Sequence, residues 1–261
     1  MDGLVTASCV VGGLILGDGL EVVVERVGGR RPLDRPWWCC EACGAAAHGW
    51  GLVPVVRGVA RARPCESCGA QTAHPWRPAV LAVVSAAVLG GFAVHFGADI
   101  ALAPYAVLGL SLVAISAIDI ERRIIPNRLV YPTVAVVAPL LGVASAVDNR
   151  FGSLARAALA AAVAFLVFFA IHMAVPRGMG FGDVRLAGVV GMAGGWLGLG
   201  QAFVAFLAAF VLGALIGVAA MTVSGAGRKT KIPFGPFLAA GAVFTVMWGA
   251  PIAHALFHRG S

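Results

Sequence analysis

The chain has 261 residues, of which 60% are hydrophobic and only 12% are charged, and its mean hydropathy is +0.91. Soluble domains carry about a quarter charged residues, so a water-soluble fold could not bury this much apolar surface. The composition therefore predicts an integral membrane protein whose main solvent is the lipid bilayer. The net charge of +7 falls largely on the loops and the polar segment, and we expect no nucleic-acid partner.

The first apolar run is followed by Asp18, Glu21 and Glu25. A cleaved signal peptide is an alternative for this run, but the region before it contains Asp2 and no basic residue, which is unlike a signal. A span needs about 20 mostly apolar residues. Eight runs qualify, with the sixth short and glycine-rich: 4–24, 79–97, 101–118, 129–147, 156–175, 184–199, 202–223 and 234–256.

Between the first two runs lies a polar segment, 26–78, that carries eight arginines and five of the six cysteines. We predict an all-α polytopic membrane protein of about eight transmembrane helices with a small cytoplasmic zinc-binding insert. The expected organisation is a first transmembrane helix (1–25), the insert (26–78) and a transmembrane bundle (79–257).

Two CxxC pairs in the insert are separated by 21 residues. This spacing is typical of tetrahedral zinc sites, and thiolate ligands persist best in a reducing compartment. Cys39 in place of Cys40, and His48 or His74 in place of a thiolate, remain open, as do four free buried thiols. The predicted ligands of this structural zinc are Cys40, Cys43, Cys65 and Cys68.

The basic residues indicate the orientation. If the insert is cytoplasmic and each later run crosses once, 16 of the 19 basic residues face the cytoplasm, leaving only Arg150, Arg156 and Arg259 on the other side. The positive-inside rule favours this arrangement, and the cysteines indicate the same side.

Two aspartates are expected at the same depth in the membrane, because each lies at the cytoplasmic end of a predicted transmembrane helix. Asp119 ends the third run, and Asp183 opens the sixth after Gly180 and Gly182. Two acids in a partly dry cleft repel when both are ionised, so one retains a proton and the pair can supply a general acid and a general base. The glycines leave room for an extended substrate.

Each acid also has an ordinary structural explanation. Asp183 could only cap a helix N-terminus, and Asp119 could only pair with Arg122 or Arg123. The sequence spacing alone does not show that the two acids meet.

The chain resembles the type IV prepilin leader peptidases, which are bacterial membrane aspartyl proteases, through five segments in the same order. Besides the two CxxC pairs, these are Gly17-Asp18-Gly19-Leu20-Glu21-Val22-Val23, Ile118-Asp119 through Ile125-Pro126-Asn127, Gly180-Phe181-Gly182-Asp183-Val184-Arg185 and Ile232-Pro233-Phe234-Gly235-Pro236-Phe237.

The resemblance implies cleavage of the short basic leader of prepilins and pseudopilins after a glycine, at the inner membrane face. It implies that Asp119 and Asp183 are catalytic and that the four cysteines bind zinc. Many members also methylate the new amino terminus with S-adenosylmethionine. Asp18 and Glu21 change the charge of a segment associated with that reaction, so methyl transfer is left open.

A basic leader calls for acidic partners, and Glu121 is a candidate, together with Asp18, Glu21 and Glu25. Two other classes of function fit the same acids. A proton- or cation-coupled transporter would usually show internal repeats or acids near the bilayer midplane, and neither is evident. A non-catalytic pilus assembly factor with a zinc module would tolerate loss of either aspartate.

Overall fold

The computed structural model describes residues 2–29, 43–45, 65, 67–69, 76–175, 179–223 and 233–257. Within these residues the regular structure is entirely helical. The eight helices are α1 (Asp2–Gly28), α2 (Arg77–Phe96), α3 (Leu102–Arg122), α4 (Asn127–Val147), α5 (Phe151–Ala174), α6 (Phe181–Leu197), α7 (Leu199–Val223) and α8 (Gly235–Phe257).

All eight predicted runs correspond to helices, and the all-α polytopic fold class is confirmed. Seven of the helices in the described ranges are long and apolar enough to cross a membrane. The exception is α6, which has only 17 residues and matches the run that the sequence marked as short. The protein is a multi-pass membrane protein.

The chain divides into two compact units, residues 1–98 and 99–261. In the first unit, α1 and α2 pack with their backbones in close approach. A Cβ atom built on Gly13 would lie 2.5 Å from the Ala86 Cα atom, and one built on Gly17 would lie 2.6 Å from the Ala82 Cα atom. Small residues allow this close packing where lipid supplies no hydrophobic drive between helices.

An ion pair joins the end of α1 to the start of α2. Nε of Arg77 donates to Oε2 of Glu21 at 2.7 Å, and Nη2 lies 3.3 Å from Oε1 of Glu25. Glu21 is only 1% exposed. Glu21 is therefore committed to Arg77 inside the first unit, which argues against the expected contact with a substrate leader.

In the second unit, α3 to α8 form a bundle, and buried polar contacts fix α6 within it. The Tyr105 hydroxyl on α3 donates to the Ala193 carbonyl at 2.6 Å, and Trp196 Nε1 donates to the Ser145 hydroxyl on α4 at 2.8 Å. Both contacts lie toward the C-terminal end of α6. They hold that end of the helix against α3 and α4, while its N-terminal end carries Asp183.

Candidate active site

Asp119 lies in the last turn of α3 and is 4% exposed. Its Oδ2 atom accepts a hydrogen bond from the backbone N–H of Gly235, at 3.0 Å. Gly235 is the first residue of α8, and a helix N-terminus carries partial positive charge. The carboxylate is therefore held at the start of another helix, which favours its ionised form.

Gly235 is required sterically at this contact. A Cβ atom at position 235 would lie 2.6 Å from Oδ2 of Asp119 and 3.3 Å from Cδ1 of Ile125. Only glycine lets the backbone N–H approach the carboxylate this closely. The segment 232–237 was recognisable in the sequence by its resemblance to the family, but nothing in the sequence placed Gly235 next to an acid.

Asp183 lies in the first turn of α6. Its Oδ2 atom accepts the backbone N–H of Gly180 at 3.1 Å, while its own N–H donates to the Gly180 carbonyl at 3.1 Å. Asp183 is thus not the N-cap residue of the helix. Its carboxylate instead accepts the N–H of the N-cap residue Gly180 in a capping box, so Asp183 also caps the helix, as its structural explanation expected.

The connection between α3 and α4 holds the two acid-bearing segments together. Arg123 takes a left-handed conformation (φ 54°) and ends α3. A Cβ on Gly182 would meet the Ile125 Cβ at 2.7 Å, and the Asn127 side-chain oxygen accepts a hydrogen bond from Arg185. The segment 123–127 therefore contacts residues one and two positions from Asp183, and it begins four positions after Asp119.

Arg185 is itself held in place by aromatic rings. Its guanidinium carbon lies 4.4 Å from the centre of the Phe181 ring and 5.7 Å from that of Tyr131. Arginine above an aromatic face is a stabilising arrangement. Asn127 and Arg185 were not predicted as site residues, although both stand inside the segments that carry the acids.

The negative charge of Asp119 acts on Asp183. Burial is the largest cause that raises the pKa of Asp183, and the negative charge of Asp119 raises it further, to about 6. The hydrogen bond from Gly180 acts in the opposite direction. A carboxyl group with a pKa in this range can hold or release a proton at the pH of a cell. The arrangement can therefore provide one protonated and one ionised carboxyl group around a shared substrate.

Glu121 lies two residues after Asp119 on α3 and is exposed. Because consecutive helical residues are about 100° apart, Glu121 projects from a face nearly opposite to Asp119.

Of the glycines before Asp183, Gly180 is exposed and contacts the carboxylate, while Gly178 lies outside the described residues.

Three of the predicted zinc ligands form a cluster. The Sγ atoms of Cys43, Cys65 and Cys68 all lie within 4.8 Å of one another, and those of Cys43 and Cys65 are 3.8 Å apart. Zn–S bonds of 2.3 Å in a tetrahedron place two sulfur atoms about 3.8 Å apart. The three thiols fit a metal ion, while Cys40 and its alternatives Cys39, His48 and His74 lie outside the described residues.

The backbone next to these cysteines forms tight turns of the kind that bring metal-binding thiols together. Gly69 has a φ of 69° and donates its N–H to the Cys65 carbonyl at 2.7 Å, and Gly44 has a φ of 76°. Left-handed glycines just after a cysteine turn the chain sharply, so neighbouring thiols can converge on one point.

Residues 106–218, which include both aspartates, match the model of the type IV leader peptidase family. A protein of Pseudomonas putida is 30% identical over 223 residues, covering 82% of this chain and 72% of its own length. The chain belongs to the type IV leader peptidase family. The resemblance inferred from the five segments is thus confirmed.

Other members of the type IV leader peptidase family align over most of the chain. A Stutzerimonas stutzeri protein is 28% identical across 89% of this chain and 79% of its own length, and a Bacillus subtilis (strain 168) protein is 28% identical across 92% and 93%. All three relatives carry the name prepilin leader peptidase/N-methyltransferase. No solved structure is significantly similar to the chain.

Proposed function

We propose that this protein is a membrane aspartic endopeptidase that removes the leader peptides of type IV prepilins and pseudopilins, with Asp119 and Asp183 as its catalytic acids. The observation that carries the proposal is geometric: the segment 123–127, which follows Asp119, contacts Gly182 and Arg185 on either side of Asp183, although the two acids are 64 positions apart in sequence. Membership of the leader peptidase family supports the same reaction.

Hydrolysis by such a pair needs no covalent intermediate. The ionised carboxylate accepts a proton from water as the water oxygen attacks the peptide carbonyl. The protonated partner then donates its proton to the departing amine nitrogen. Asp183, whose pKa is raised toward neutrality, suits the role of the group that carries the exchangeable proton.

The substrate enters from the cytoplasmic face in this proposal. The cytoplasmic assignment rests on the distribution of 16 of the 19 basic residues and the positive-inside rule, and the bacterial inner membrane is the corresponding location. The exposed Gly180 would leave backbone space for an extended peptide beside Asp183, while Gly182 would support the site through its close contact with Ile125. The exposed Glu121 would attract a basic leader.

The insert (26–78) would form a small zinc-binding domain between the first helix (1–25) and the bundle (79–257). Cys40 would complete the site formed by Cys43, Cys65 and Cys68, giving four protein ligands. A zinc ion with four protein ligands has no open position for a substrate, so its role would be structural.

N-methylation of the new amino terminus, with S-adenosylmethionine as methyl donor, is a second candidate activity. The names of the relatives favour it. The acidic residues Asp18 and Glu21, both buried in α1, stand in the segment that the family resemblance associates with this reaction, whereas both aspartate segments keep the family's pattern.

Co-expression with a prepilin, followed by mass spectrometry of the mature amino terminus, tests the proposal. The wild-type protein should release the leader, whereas Asp119→Asn and Asp183→Asn should each lower the rate by about 100-fold or more, since each removes a general acid or base. Processing at the wild-type rate by either variant would favour an assembly factor. A mass increase of one methyl group in the same spectra would establish methyl transfer.

A further inference from the structure

His172 lies in the last full turn of α5, before the connection to α6. Its Nδ1 atom is 2.8 Å from the carbonyl oxygen of Met179. A carbonyl oxygen can only accept, so the imidazole must carry a hydrogen on Nδ1 and donate it. The side chain therefore holds the far end of the α5–α6 connection at the point where α6 is about to begin.

The Met179 carbonyl belongs to the same peptide group as the Gly180 N–H. That N–H is the donor to Oδ2 of Asp183, at 3.1 Å. Because a peptide group is planar and rigid, fixing its oxygen also fixes the direction of its N–H. One imidazole, one peptide group and one carboxylate thus form a continuous chain of hydrogen bonds.

Such a chain does more than set an orientation. Donation to a carbonyl oxygen polarises the amide, and linked hydrogen bonds strengthen one another. The Gly180 N–H is therefore a better donor to Asp183 while the bond from His172 is made. The peptide group transmits the contact from α5 to the acid.

Aromatic packing keeps the imidazole in place. The His172 ring centre lies 5.6 Å from that of Phe181, the first residue of α6. Phe181 in turn contacts Phe165 at 6.4 Å and Phe169 at 6.2 Å, both on α5. The rings restrict the rotamers of His172, so its donor is aimed at Met179 before any substrate arrives.

We infer that His172 is a positioning residue for Asp183, which acts through the Met179–Gly180 peptide group to set the orientation of the carboxylate. This inference rests on the proposed peptidase function. The hydrogen bond of His172 goes to the peptide group, so its effect on the reaction is indirect.

The test uses the purified full-length protein in detergent and a synthetic peptide with a short lysine-rich leader ending in glycine, followed by apolar residues. His172→Phe keeps an aromatic ring but removes the donor. His172→Asn keeps an amide N–H near the position of Nδ1. His254→Phe and His254→Asn, at an exposed position near the C-terminal end of α8, are the matched controls.

In His172→Phe, kcat should fall by about 10- to 100-fold, as expected for a misaligned catalytic group, while KM stays within about twofold. His172→Asn should recover most of the lost kcat, and both His254 variants should match the wild type. His172→Leu replaces the phenylalanine variant if that protein does not yield a folded sample, as judged by its thermal unfolding midpoint.

Two results would overturn the inference: a wild-type kcat in the donor-free variant, or equal losses in the phenylalanine and asparagine variants, which would indicate packing alone. Failure of the peptidase proposal is distinguishable, because it would appear as absent cleavage by the wild type or as full activity of Asp183→Asn.

Discussion

At the scale of single residues, the candidate site depends on backbone donors as much as on the acids. Gly235 donates to Asp119 and Gly180 donates to Asp183, so each carboxylate has one oxygen fixed by a main-chain N–H. A fixed oxygen leaves the other for water or substrate. Both donors precede or begin a helix, where N–H groups have no partner within the helix.

Gly235→Ala should abolish most of the cleavage activity, because its Cβ would lie 2.6 Å from Oδ2 of Asp119 and would push the carboxylate away. We expect kcat to fall by about 100-fold, as for a catalytic group misplaced by about 1 Å. Gly142→Ala on α4 is the control, since a Cβ there meets open space and should leave kcat unchanged. Equal activity of the two variants in a peptide cleavage assay would contradict the contact.

The raised pKa of Asp183 predicts a pH-dependent stability. The folded protein holds this proton up to about pH 6, whereas the unfolded chain releases it near 3.8, so the folded state binds more protons between these values. Stability from this group is therefore complete below pH 3.8 and is lost as pH rises through 6.

The thermal unfolding midpoint in detergent should accordingly fall between pH 5 and pH 7.5 in the wild type. Asp183→Asn, which cannot ionise, should show a smaller fall over the same interval. Superimposable pH profiles of the two proteins would show that Asp183 titrates near its ordinary pKa.

At the scale of helices, α1 and α2 combine tight glycine packing with a buried ion pair. Arg77 faces both Glu21 and Glu25, and burial makes the loss of one partner costly because the remaining charge is left without compensation. The arginine is the common member of the two pairs. Its loss should therefore be more damaging than the loss of either glutamate.

Arg77→Gln should destabilise the protein by about 3 kcal/mol or more, and Glu21→Gln by less, because Glu25 still faces the arginine. Asp99→Asn, which weakens a partly exposed contact with Arg150, should have little effect and serves as the control. The thermal unfolding midpoints of the three variants give their order of stability directly. A Glu21 variant less stable than the Arg77 variant would contradict this account.

At the scale of the whole molecule, the chain consists of two compact units with different chemistry. Residues 1–98 contain the cysteine cluster, and residues 99–261 contain both candidate catalytic acids. A structural metal in the first unit should affect folding more than the chemical step. Metal content and peptide cleavage can each be measured on the same variants.

The purified protein should contain one zinc ion per chain by elemental analysis. Cys65→Ser should lose the metal and lower the unfolding midpoint, because metal binding supplies folding free energy to small domains. Cys9→Ser, in α1 and outside the cluster, should retain the metal. Full zinc content in the Cys65 variant would show that the thiols are not the ligands.

The membrane class, the positions of the helices and the two candidate acids could be predicted from the amino-acid sequence. A bilayer admits only helices or closed barrels, so hydropathy is a nearly complete guide to such a fold, and the two aspartates stood out because acids are rare beside apolar runs. The five segments were also sufficient to indicate the family.

Only the tertiary structure brought the start of α8 to Asp119 and the Met179–Gly180 peptide group to both His172 and Asp183. It likewise paired Glu21 with Arg77, 56 positions away in sequence. Such contacts depend on which helix faces pack together, and hydropathy carries little of that information when lipid and neighbouring helices are equally apolar.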